Sequence, residues 1–398
     1  MNKIYETDSY RKKINTTIES CNEENGKYFV TFDDTIFFPE EGGQYADTGV
    51  IMSGDKEIRL INGEYLQSKD AEASLRYEVD SFIEPGSKVE CSLDWDLRYS
   101  RMQNHSGEHI ISGLINAKYG FNNVGFHLSD DAPVTLTLDG VLTYEQAIEI
   151  EKEVNEVIYK NMPIVDSYPT KEELKELSYR SKIEIAGQVR LITIRDENET
   201  VDICACCAPH VHRTGEIGIV KVLSVTNFKG GVQIGILCGR RALEYINHQQ
   251  DILSAAALTL STHPDNVPGL ITSHIEEINS LKSELSALRE KEYLQIVEDM
   301  KEQDPHIIFA TGDLSPANMK NIFNTLSAKF NGYVGVFAGS DHDGFRYYAG
   351  SSDLDSKDLA ADMRNMLGAK GGGSSEMIQG KVSATHAEIL GFWHNNHN

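Results

Sequence analysis

The sequence predicts an α+β protein that is built from several domains rather than one. The chain has 398 residues, of which 40% are hydrophobic. Such a length corresponds to roughly two or three domains of ~100–200 residues, each with enough apolar material for a core. The apolar period also changes along the chain, from about two near the N-terminus to about 3.6 after Trp95. A helical stretch over residues 240–300 then separates two mixed regions.

Residues 1–93 are predicted to form a small β-barrel domain. Two short β-prone runs, residues 28–32 and 35–38, are separated by a turn, and residues 89–93 alternate apolar with polar side chains. Many short strands with Gly, Pro and Asp between them are typical of a small barrel.

Residues 94–239 are predicted to form an α+β domain. Apolar residues at helical spacing predict one helix over residues 95–119, which ends at Gly120, and another over residues 144–159. Strands are expected at residues 134–138, 189–194, 220–225 and 232–237.

Residues 240–300 are predicted to be a helical or coiled-coil connector. Its seam of apolar residues at heptad spacing is formed by Ile271, Ile278, Leu281, Leu285 and Leu288. Two heptads are too few to require a coiled coil, so either a helical hairpin or a short dimer interface would bury this seam. A homodimer through the connector or the C-terminal domain is therefore one expectation.

Residues 301–398 are predicted to form a second α+β domain. Buried strands are expected at residues 307–310 and 333–338, and helices at residues 318–330 and 355–367. The glycine-rich residues 371–375 are expected to interrupt this domain as a flexible loop.

The charge excludes some classes of protein and restricts others. With 37 Lys+Arg against 61 Asp+Glu, the formal net charge is −24, which argues against binding nucleic acid through a broad basic surface. From Pro305 onward there are seven basic and nine acidic residues, so a net charge of −22 lies on the residues before it. The C-terminal domain is thus the better candidate for a local contact with nucleic acid, which its glycines would make through backbone N–H groups.

The sequence predicts a soluble cytoplasmic protein without membrane contact. No stretch approaches the ~20 apolar residues of a membrane helix, and the N-terminus lacks the apolar core of a signal peptide. Six cysteines are too few for a disulfide scaffold of this length. Three of them, Cys204, Cys206 and Cys207, lie within four positions, which suits a reducing compartment and metal or thiol chemistry.

The motif His105-Ser106-Gly107-Glu108-His109 is the first candidate half of a metal site. Two histidines at positions i and i+4 lie one turn apart on the same helix face, so both imidazoles can reach one metal ion. Glu108 directly precedes the second histidine and projects about 100° away from it. A catalytic base of the His-Glu-x-x-His metalloprotease type is therefore disfavoured.

The motif Cys206-Cys207-Ala208-Pro209-His210 offers the second half. A thiolate and an imidazole four residues apart, in a loop shaped by Pro209, would complete a tetrahedral shell of three nitrogens and one sulfur. Zinc favours that donor set. The chain between the two motifs must fold back to bring them together.

Three further residues are rival ligands. Cys204 and Cys207 flank Cys206, and His212 lies two positions after His210. Because side chains repeat every second residue in extended chain, His212 would share a face with His210 if this segment is a strand.

These motifs resemble those of a known family. Residues 104–109 resemble the His-x-x-x-His motif of the alanyl-tRNA synthetase editing domain, and residues 206–218 resemble its Cys-x-x-x-His motif with the Thr-Gly-Glu-Ile-Gly tail. Residues 35–44, with Asp47-Thr48-Gly49, resemble the glycine-rich turn of the accompanying barrel. The free-standing form of this arrangement is the AlaX family of alanyl-tRNA editing proteins. From about residue 305 the chain resembles the DHH-associated domain at the synthetase C-terminus, which indicates the long form of the family.

The resemblance implies a trans-editing hydrolase. It would remove a wrong amino acid, chiefly serine and also glycine, from alanine tRNA by zinc-dependent ester hydrolysis. The implied zinc ligands are His105, His109, Cys206 and His210. Gln44, His105 and His109 are the candidates for catalysis. The candidate substrate-binding residues are Gln44, Gly42, Gly43, Gly125, Thr214, Gly371, Gly372 and Gly373.

Some of these roles have alternatives. Gln44 is equally explained as an amide that caps a turn, and Thr214 is expected to shape its loop rather than to transfer protons. Four protein ligands normally close a structural zinc site, so either one ligand leaves, the shell expands, or zinc only orients the substrate. Cys207, Ala208 and Pro209 stand where the family usually has Gly-Gly-Thr, so the backbone donors to the substrate are expected to differ. The resemblance makes Cys207 a bystander rather than a ligand.

Two other functions remain open. One is a non-catalytic tRNA-binding or regulatory protein that retains zinc for folding. The other is a phosphoesterase of the DHH class, for which Asp341-His342-Asp343 is a poor match to the required Asp-His-His motif. The chain begins with the barrel, so no ATP-dependent activation domain is expected and ligase activity is not predicted.

Overall fold

The computed structural model describes residues 1–66, 74–181, 188–312 and 314–396. The chain forms two compact units, residues 1–253 and residues 254–398. Both units combine helices with sheets, so the predicted α+β class is confirmed. The four-part division at residues 93, 239 and 300 stays a prediction. None of the helices within the described ranges combines the length and apolarity that crossing a membrane requires.

The first unit begins with a closed six-stranded barrel, as predicted. The elements of this region are β1 (Asn2–Lys3), α1 (Ile4–Thr7), β2 (Lys13–Glu24), β3 (Lys27–Phe32), β4 (Asp34–Thr35), β5 (Gly49–Ser53), β6 (Lys56–Leu66), β7 (Ser74–Val79) and β8 (Lys88–Leu93). The barrel strands follow the order β2-β3-β7-β6-β5-β8. Apolar side chains that alternate along these strands, including Ile18, Val30 and Ile51, fill the interior.

The prediction of β-structure over the whole of residues 35–38 is wrong. Only Thr35 belongs to a strand, in β4, which pairs in parallel with β1. Ile36, Phe37 and Phe38 follow outside any strand and are completely buried. A continuous apolar run can be buried on all sides without belonging to a sheet, so it resembles a buried strand in sequence.

Two long helices follow the barrel where the apolar period predicts them. They are α2 (Trp95–Tyr119) and α3 (Tyr144–Lys160). Helix α2 ends because Gly120 adopts a left-handed φ of 73°, which ends helices at little steric cost. Helix α3 begins with a capping box, in which Thr143 and Gln146 each bond the backbone N–H of the other.

Two sheets pack with these helices in the first unit. The remaining elements are β9 (Asn123–His127), β10 (Val134–Leu138), β11 (Ile164–Ser167), α4 (Lys171–Glu176), β12 (Leu191–Arg195), β13 (Thr200–Ala205), β14 (Val220–Phe228), β15 (Gly231–Cys238) and α5 (Gly239–Thr259), whose residues from 254 onward belong to the second unit. One sheet has the order β14-β15-β10-β9 and the other has the order β11-β12-β13. Strands β11 and β13 have no counterpart in the sequence-based expectation, and β13 leads directly into the 206–210 loop.

The second unit contains a five-stranded mixed sheet. Its elements are α6 (Val267–Asp299), β16 (Ile307–Ala310), α7 (Pro316–Lys329), β17 (Val334–Ser340), β18 (Gly344–Gly350), α8 (Ser356–Leu367), β19 (Lys370–Gly373), β20 (Met377–Val382) and α9 (His386–Asn396). The strand order is β16-β17-β18-β20-β19, with β16 and β17 parallel. Separate apolar clusters around Phe323 and Trp393 form its core.

Helix α6 belongs partly to the core of the second unit. Near its C-terminal end Val297 is completely buried in the same apolar cluster as Leu326 of α7. The apolar seam on its earlier turns is 43–67% exposed, at Ile271, Ile278, Leu281, Leu285 and Leu288. The homodimer expected from this seam stays a prediction.

The prediction of a flexible loop at residues 371–375 is wrong for residues 371–373, and only residues 374 and 375 of that range lie outside a strand. Gly371, Gly372 and Gly373 lie in β19, which pairs with β20 at the edge of the sheet. A side chain at Gly371 would come within 2.1 Å of the carbonyl oxygen of Gln379, so glycine permits this pairing. The glycines therefore serve a close approach of two strands rather than flexibility.

Candidate metal centre

Helix α2 carries the first half of the candidate site in its buried middle turns. His105 and His109 are 2% and 1% exposed, and they project from one face as their spacing predicts. Gly107 lies between them, and a Cβ atom there would come within 2.5 Å of the Cys238 sulfur on β15. The missing side chain at Gly107 therefore lets the helix approach the sheet closely enough to bury both histidines.

The 206–210 loop carries the second half. Arg190, next to β12, donates through Nη1 to the carbonyl oxygens of Ala208 at 2.8 Å and Cys206 at 3.4 Å. From the N-terminal segment, the Ser9 hydroxyl donates to the carbonyl oxygen of His210 at 3.2 Å. Side chains from two other parts of the first unit thus fix the loop.

The structure brings the four predicted ligands together. One ligand atom from each of His105, His109, Cys206 and His210 lies within 4.8 Å of all the others. The Cys206 sulfur lies 3.5 Å from His105 Nε2 and 3.4 Å from His210 Nε2. A tetrahedral zinc ion with ordinary Zn–S and Zn–N bonds would separate such atoms by about 3.6 Å. The donor set and its spacing therefore fit zinc.

Each of the three histidines is oriented through its other ring nitrogen. Nδ1 of His105 donates to Gln44 Oε1 at 2.9 Å, and Nδ1 of His109 donates to Asp202 Oδ2 at 3.2 Å. Nδ1 of His210 forms a hydrogen bond with the Ser106 hydroxyl at 3.0 Å. Because Nδ1 is occupied in every case, Nε2 remains for a metal ion.

Asp202 on β13 is the most strongly held of these orienting groups. Its carboxylate is 1% exposed and accepts two hydrogen bonds from Arg180, at 2.7 and 2.8 Å. Burial alone would raise the pKa of Asp202, but the hydrogen bonds from His109 and Arg180 lower it below its usual value. Asp202 therefore stays ionised opposite His109.

The surroundings also favour the metal-binding protonation states of the loop ligands. Burial lowers the pKa of His210 to about 3, so its imidazole is neutral near pH 7. Burial alone would raise the pKa of Cys206, but the adjacent His105 and His210 lower it well below its usual value. A thiolate and a neutral imidazole are the forms that bind zinc.

The rival ligands occupy different environments. His212 is exposed and stacks on the Tyr10 ring, with 4.0 Å between ring centroids. Cys207 lies beside Glu41, and burial raises the pKa of its thiol. Cys204 remains a geometric rival, since it forms a second group of three potential ligands with His109 and Asp202.

A cavity of about 380 Å³ adjoins the four ligands. Its described lining residues are Glu41, Gly42, His105, His109, Phe126, Ser181, Gln188, Arg190, Cys204, Ala205, Cys206 and Cys207. The ligand cluster therefore lies at the wall of a space that is large enough for a small organic group.

Gln44 and Gly43 lie behind this wall rather than in it. Gln44 is completely buried, and its Nε2 has no hydrogen-bond partner among the described residues. Gly43 has a left-handed φ of 83°, and a Cβ atom there would lie 2.3 Å from the carbonyl oxygen of Phe126. Through His105 and Phe126, both residues shape the cavity from behind.

The other sequence candidates are placed elsewhere. The Thr214 hydroxyl is buried, donates to the Val157 carbonyl oxygen and accepts from the Met162 N–H, both at 2.8 Å. It shapes its loop and is not among the described cavity-lining residues. Gly125 on β9 is also outside that lining, and its amide donates to Asn123. Gly371, Gly372 and Gly373 belong to β19 of the second unit.

Several residues of the site were not identified from the sequence. Asp202, Ser106, Arg180 and Arg190 orient ligands or their loop, as the contacts above show. The sequence did contain a signal for Asp202. It lies two residues before Cys204 in a β-prone run, so the two side chains are expected on the same face of a strand. Arg180 and Arg190 gave no local signal, since their partners lie 16–22 positions away.

Comparisons with known proteins find relatives that are named for tRNA editing or tRNA charging. Residues 189–233 match the family described as the threonyl and alanyl tRNA synthetase second additional domain. The alanyl-tRNA editing protein AlaX-L of Pyrococcus horikoshii is 28% identical, over 98% of this chain and 96% of its own length. The alanyl-tRNA editing protein Aarsd1 of Bos taurus is 26% identical, over 74% of this chain and 65% of its own length.

Alanine–tRNA ligases are also similar. That of Methanoregula boonei is 26% identical over 88% of this chain, but the match spans only 39% of the ligase. The chain thus corresponds to about two fifths of that enzyme, whereas it matches AlaX-L almost from end to end. The predicted resemblance to the long form of the AlaX family of alanyl-tRNA editing proteins is therefore confirmed.

Proposed function

We propose that this protein is a zinc-dependent trans-editing hydrolase that deacylates mischarged alanine tRNA, chiefly Ser-tRNA(Ala) and also Gly-tRNA(Ala). The observation that carries the proposal is the convergence of His105, His109, Cys206 and His210 at the wall of a cavity. The similarity to AlaX-L over 98% of the chain supports the choice of tRNA ester as substrate.

The protein's own residues would hold and orient the reacting groups. Gln44, Asp202 and Ser106 fix the three imidazoles through Nδ1, so Nε2 of each projects towards the metal position. Bound zinc would supply a Lewis acid for the ester carbonyl or lower the pKa of a water molecule. Gln44 is then a positioning residue, because its side chain touches His105 and does not line the cavity.

The proposed specificity has a physical basis. A synthetase pocket for alanine rejects serine weakly, because a cavity shaped by apolar contacts discriminates poorly against an added hydroxyl, so a second hydrolytic step is useful. An editing cavity can instead require that hydroxyl through a hydrogen bond. Polar residues line the cavity here as well as Phe126, among them Ser181 and Gln188.

The second unit is proposed to bind the body of the tRNA. It contains the part of the chain with the smallest net negative charge, and the exposed Gly371, Gly372 and Gly373 lie on an edge strand. Backbone N–H groups there would contact phosphates where basic side chains are few. A protein with this function is expected in the cytoplasm, where tRNAs are charged.

A phosphoesterase site is not supported at Asp341-His342-Asp343. The His342 side chain is 94% exposed and bonds Asp343, and Asp341 caps the start of α9 through the His386 N–H. Among the described residues, the groups that could hold a metal ion both include His109 and lie in the first unit.

The test is hydrolysis of Ser-tRNA(Ala), Gly-tRNA(Ala) and Ala-tRNA(Ala) by the full chain. We expect the serine ester to be cleaved about 100-fold faster than the alanine ester. Chelation should stop the reaction and added zinc should restore it. Full zinc occupancy without hydrolysis of any ester would instead support a non-catalytic tRNA-binding protein.

A further inference from the structure

Glu41 is the only carboxylate among the described residues that line the cavity. It is half-buried, and it forms no ion pair with a basic side chain among the described residues. Its side-chain hydrogen bond is with the Cys207 thiol. Lys3 also acts on Glu41 electrostatically, but it forms its ion pair with Glu6 and is not among the described cavity-lining residues. The described part of the cavity lining therefore contains one carboxylate, and that carboxylate has no ion-pair partner among the described residues.

Two connections hold Glu41 at a defined place beside the metal centre. The first is the turn of residues 41–44, in which Glu41 and Gln44 exchange backbone hydrogen bonds of 3.2 and 3.1 Å. The side chain of Gln44 then bonds His105 at 2.9 Å. The second is Cys207, which directly follows Cys206 in the chain.

The turn itself is fixed against the cavity wall. Gly42 and Gly43 have φ values of 63° and 83°, which few residues other than glycine adopt. The Gly43 carbonyl oxygen accepts a hydrogen bond of 2.8 Å from the Leu128 amide. Glu41 is therefore presented by a rigid turn rather than by a loose loop.

An aminoacyl ester has one positive charge near its scissile bond, the α-ammonium group. Burying that charge without a partner would be costly, and a carboxylate within hydrogen-bond distance compensates it. Besides the cysteines, of which Cys206 is a proposed zinc ligand, the other ionisable groups among the described cavity-lining residues are His105, His109 and Arg190. None of these three attracts a cation.

We propose that Glu41 binds the α-ammonium of the aminoacyl group and so positions the ester at the metal centre. This inference rests on the proposed editing function. It assigns the recognition of the amino group, which every aminoacyl ester shares, to the 41–44 turn. The recognition of the amino-acid side chain is left to other parts of the cavity.

The experiment compares two esters and two proteins. The esters are Ser-tRNA(Ala) and the same tRNA after nitrous acid treatment, which replaces the α-amino group by a hydroxyl. The Glu41→Gln variant should lower kcat/KM for the serine ester about 30-fold, as expected when one partner of a desolvated charge pair is removed. It should change kcat/KM for the α-hydroxy ester less than about 3-fold, since no ammonium is present.

The matched control is Glu40→Gln. Glu40 is the preceding residue, is exposed, and is not among the described cavity-lining residues. It should leave both esters and the zinc content unchanged. Glu41→Asp, which retains the charge, should recover part of the lost rate.

The two possible failures are distinguishable. If the wild-type protein cleaves neither ester, the proposed function is wrong and the role of Glu41 is wrong with it. If the wild-type protein cleaves the serine ester but Glu41→Gln affects both esters equally, or neither, only the assignment of the ammonium to Glu41 is overturned. Loss of zinc from Glu41→Gln would also overturn it, because the residue would then act on the metal centre.

Discussion

The two halves of the candidate metal centre are built in different ways. In the helix half, backbone hydrogen bonds of α2 place His105 and His109 on one face, and any regular helix would do the same. In the loop half, the separation of Cys206 from His210 depends on Arg190 and Ser9, which belong to distant parts of the chain. The spacing of the ligands in the helix half is therefore set by local backbone hydrogen bonds, whereas the spacing in the loop half is set by tertiary contacts.

This difference teaches that the two halves have different vulnerabilities. When one orienting side chain is removed, the backbone of α2 still holds His105 and His109 one turn apart. The imidazole that has lost its partner on Nδ1, however, is then free to rotate. The 206–210 loop has no regular pattern of backbone hydrogen bonds. The positions of its two ligands therefore depend on each side chain that holds the loop. Ser106 connects the halves, because it lies on α2 and bonds both His210 and the Val211 amide.

The largest effect is expected for Cys206→Ala, which removes a ligand of the loop half. Zinc affinity should fall by well over ~100-fold, more than loss of an orienting partner causes. At free zinc ~1,000 times the wild-type Kd, the wild type should gain about 4 kcal/mol in free energy of unfolding that the variant lacks. Metal analysis and denaturant titration with and without zinc would measure both quantities.

The controls for this prediction are Cys207→Ala and His212→Ala. His212 stacks on Tyr10, and Cys207 bonds Glu41, so both variants should retain full zinc stoichiometry. Full zinc binding by Cys206→Ala would show that Cys204, the remaining geometric rival, serves as the sulfur ligand.

A smaller effect is expected for Asp202→Asn, which acts on the helix half. His109 would lose its anionic partner and Arg180 would lose its ion pair, so zinc affinity should fall by about 100-fold. Free energy of unfolding should fall by about 3 kcal/mol, because a mostly buried guanidinium is left uncompensated. Competition with a chelator and denaturant titration would measure these changes.

Asp166→Asn is the matched control for that variant. Asp166 is 42% exposed and lies 3.5 Å from Arg190, so its removal should cost less than about 1 kcal/mol. If both substitutions weakened zinc binding equally, a general change in charge would explain the result. The orientation of His109 by Asp202 would then not be its cause.

The smallest effect is expected for Ser106→Ala. His210 Nδ1 and the Val211 amide would each lose a hydrogen bond, which should cost about 1–3 kcal/mol in free energy of unfolding. Zinc affinity should fall by about 10-fold, since the loop keeps Arg190 and Ser9. An effect larger than that of Asp202→Asn would reverse the comparison and make Ser106 the main support of the site.

The predictable parts of the fold are those with a strong local signal. Helix α2 begins at Trp95 and ends before Gly120 because its apolar period and its stop residue are both local. The glycines 371–373 were misassigned, since the sequence does not show that β20 lies beside them. Strand β13 was missed although its residues are β-prone, because so short a run does not show that it pairs with β12.

The sequence by itself determined the α+β class, the barrel, the helical spacing of His105 and His109 and the set of candidate ligands. The structure places Cys206 with the histidines, as the family resemblance implies. The tertiary structure alone decided that His212 stacks on Tyr10 and that Asp202 supports His109. The physical reason is the separation along the chain of the residues that interact. Helical periodicity is fixed by hydrogen bonds between residues four apart, whereas the loop half depends on contacts whose partners are about 16 to 200 positions apart.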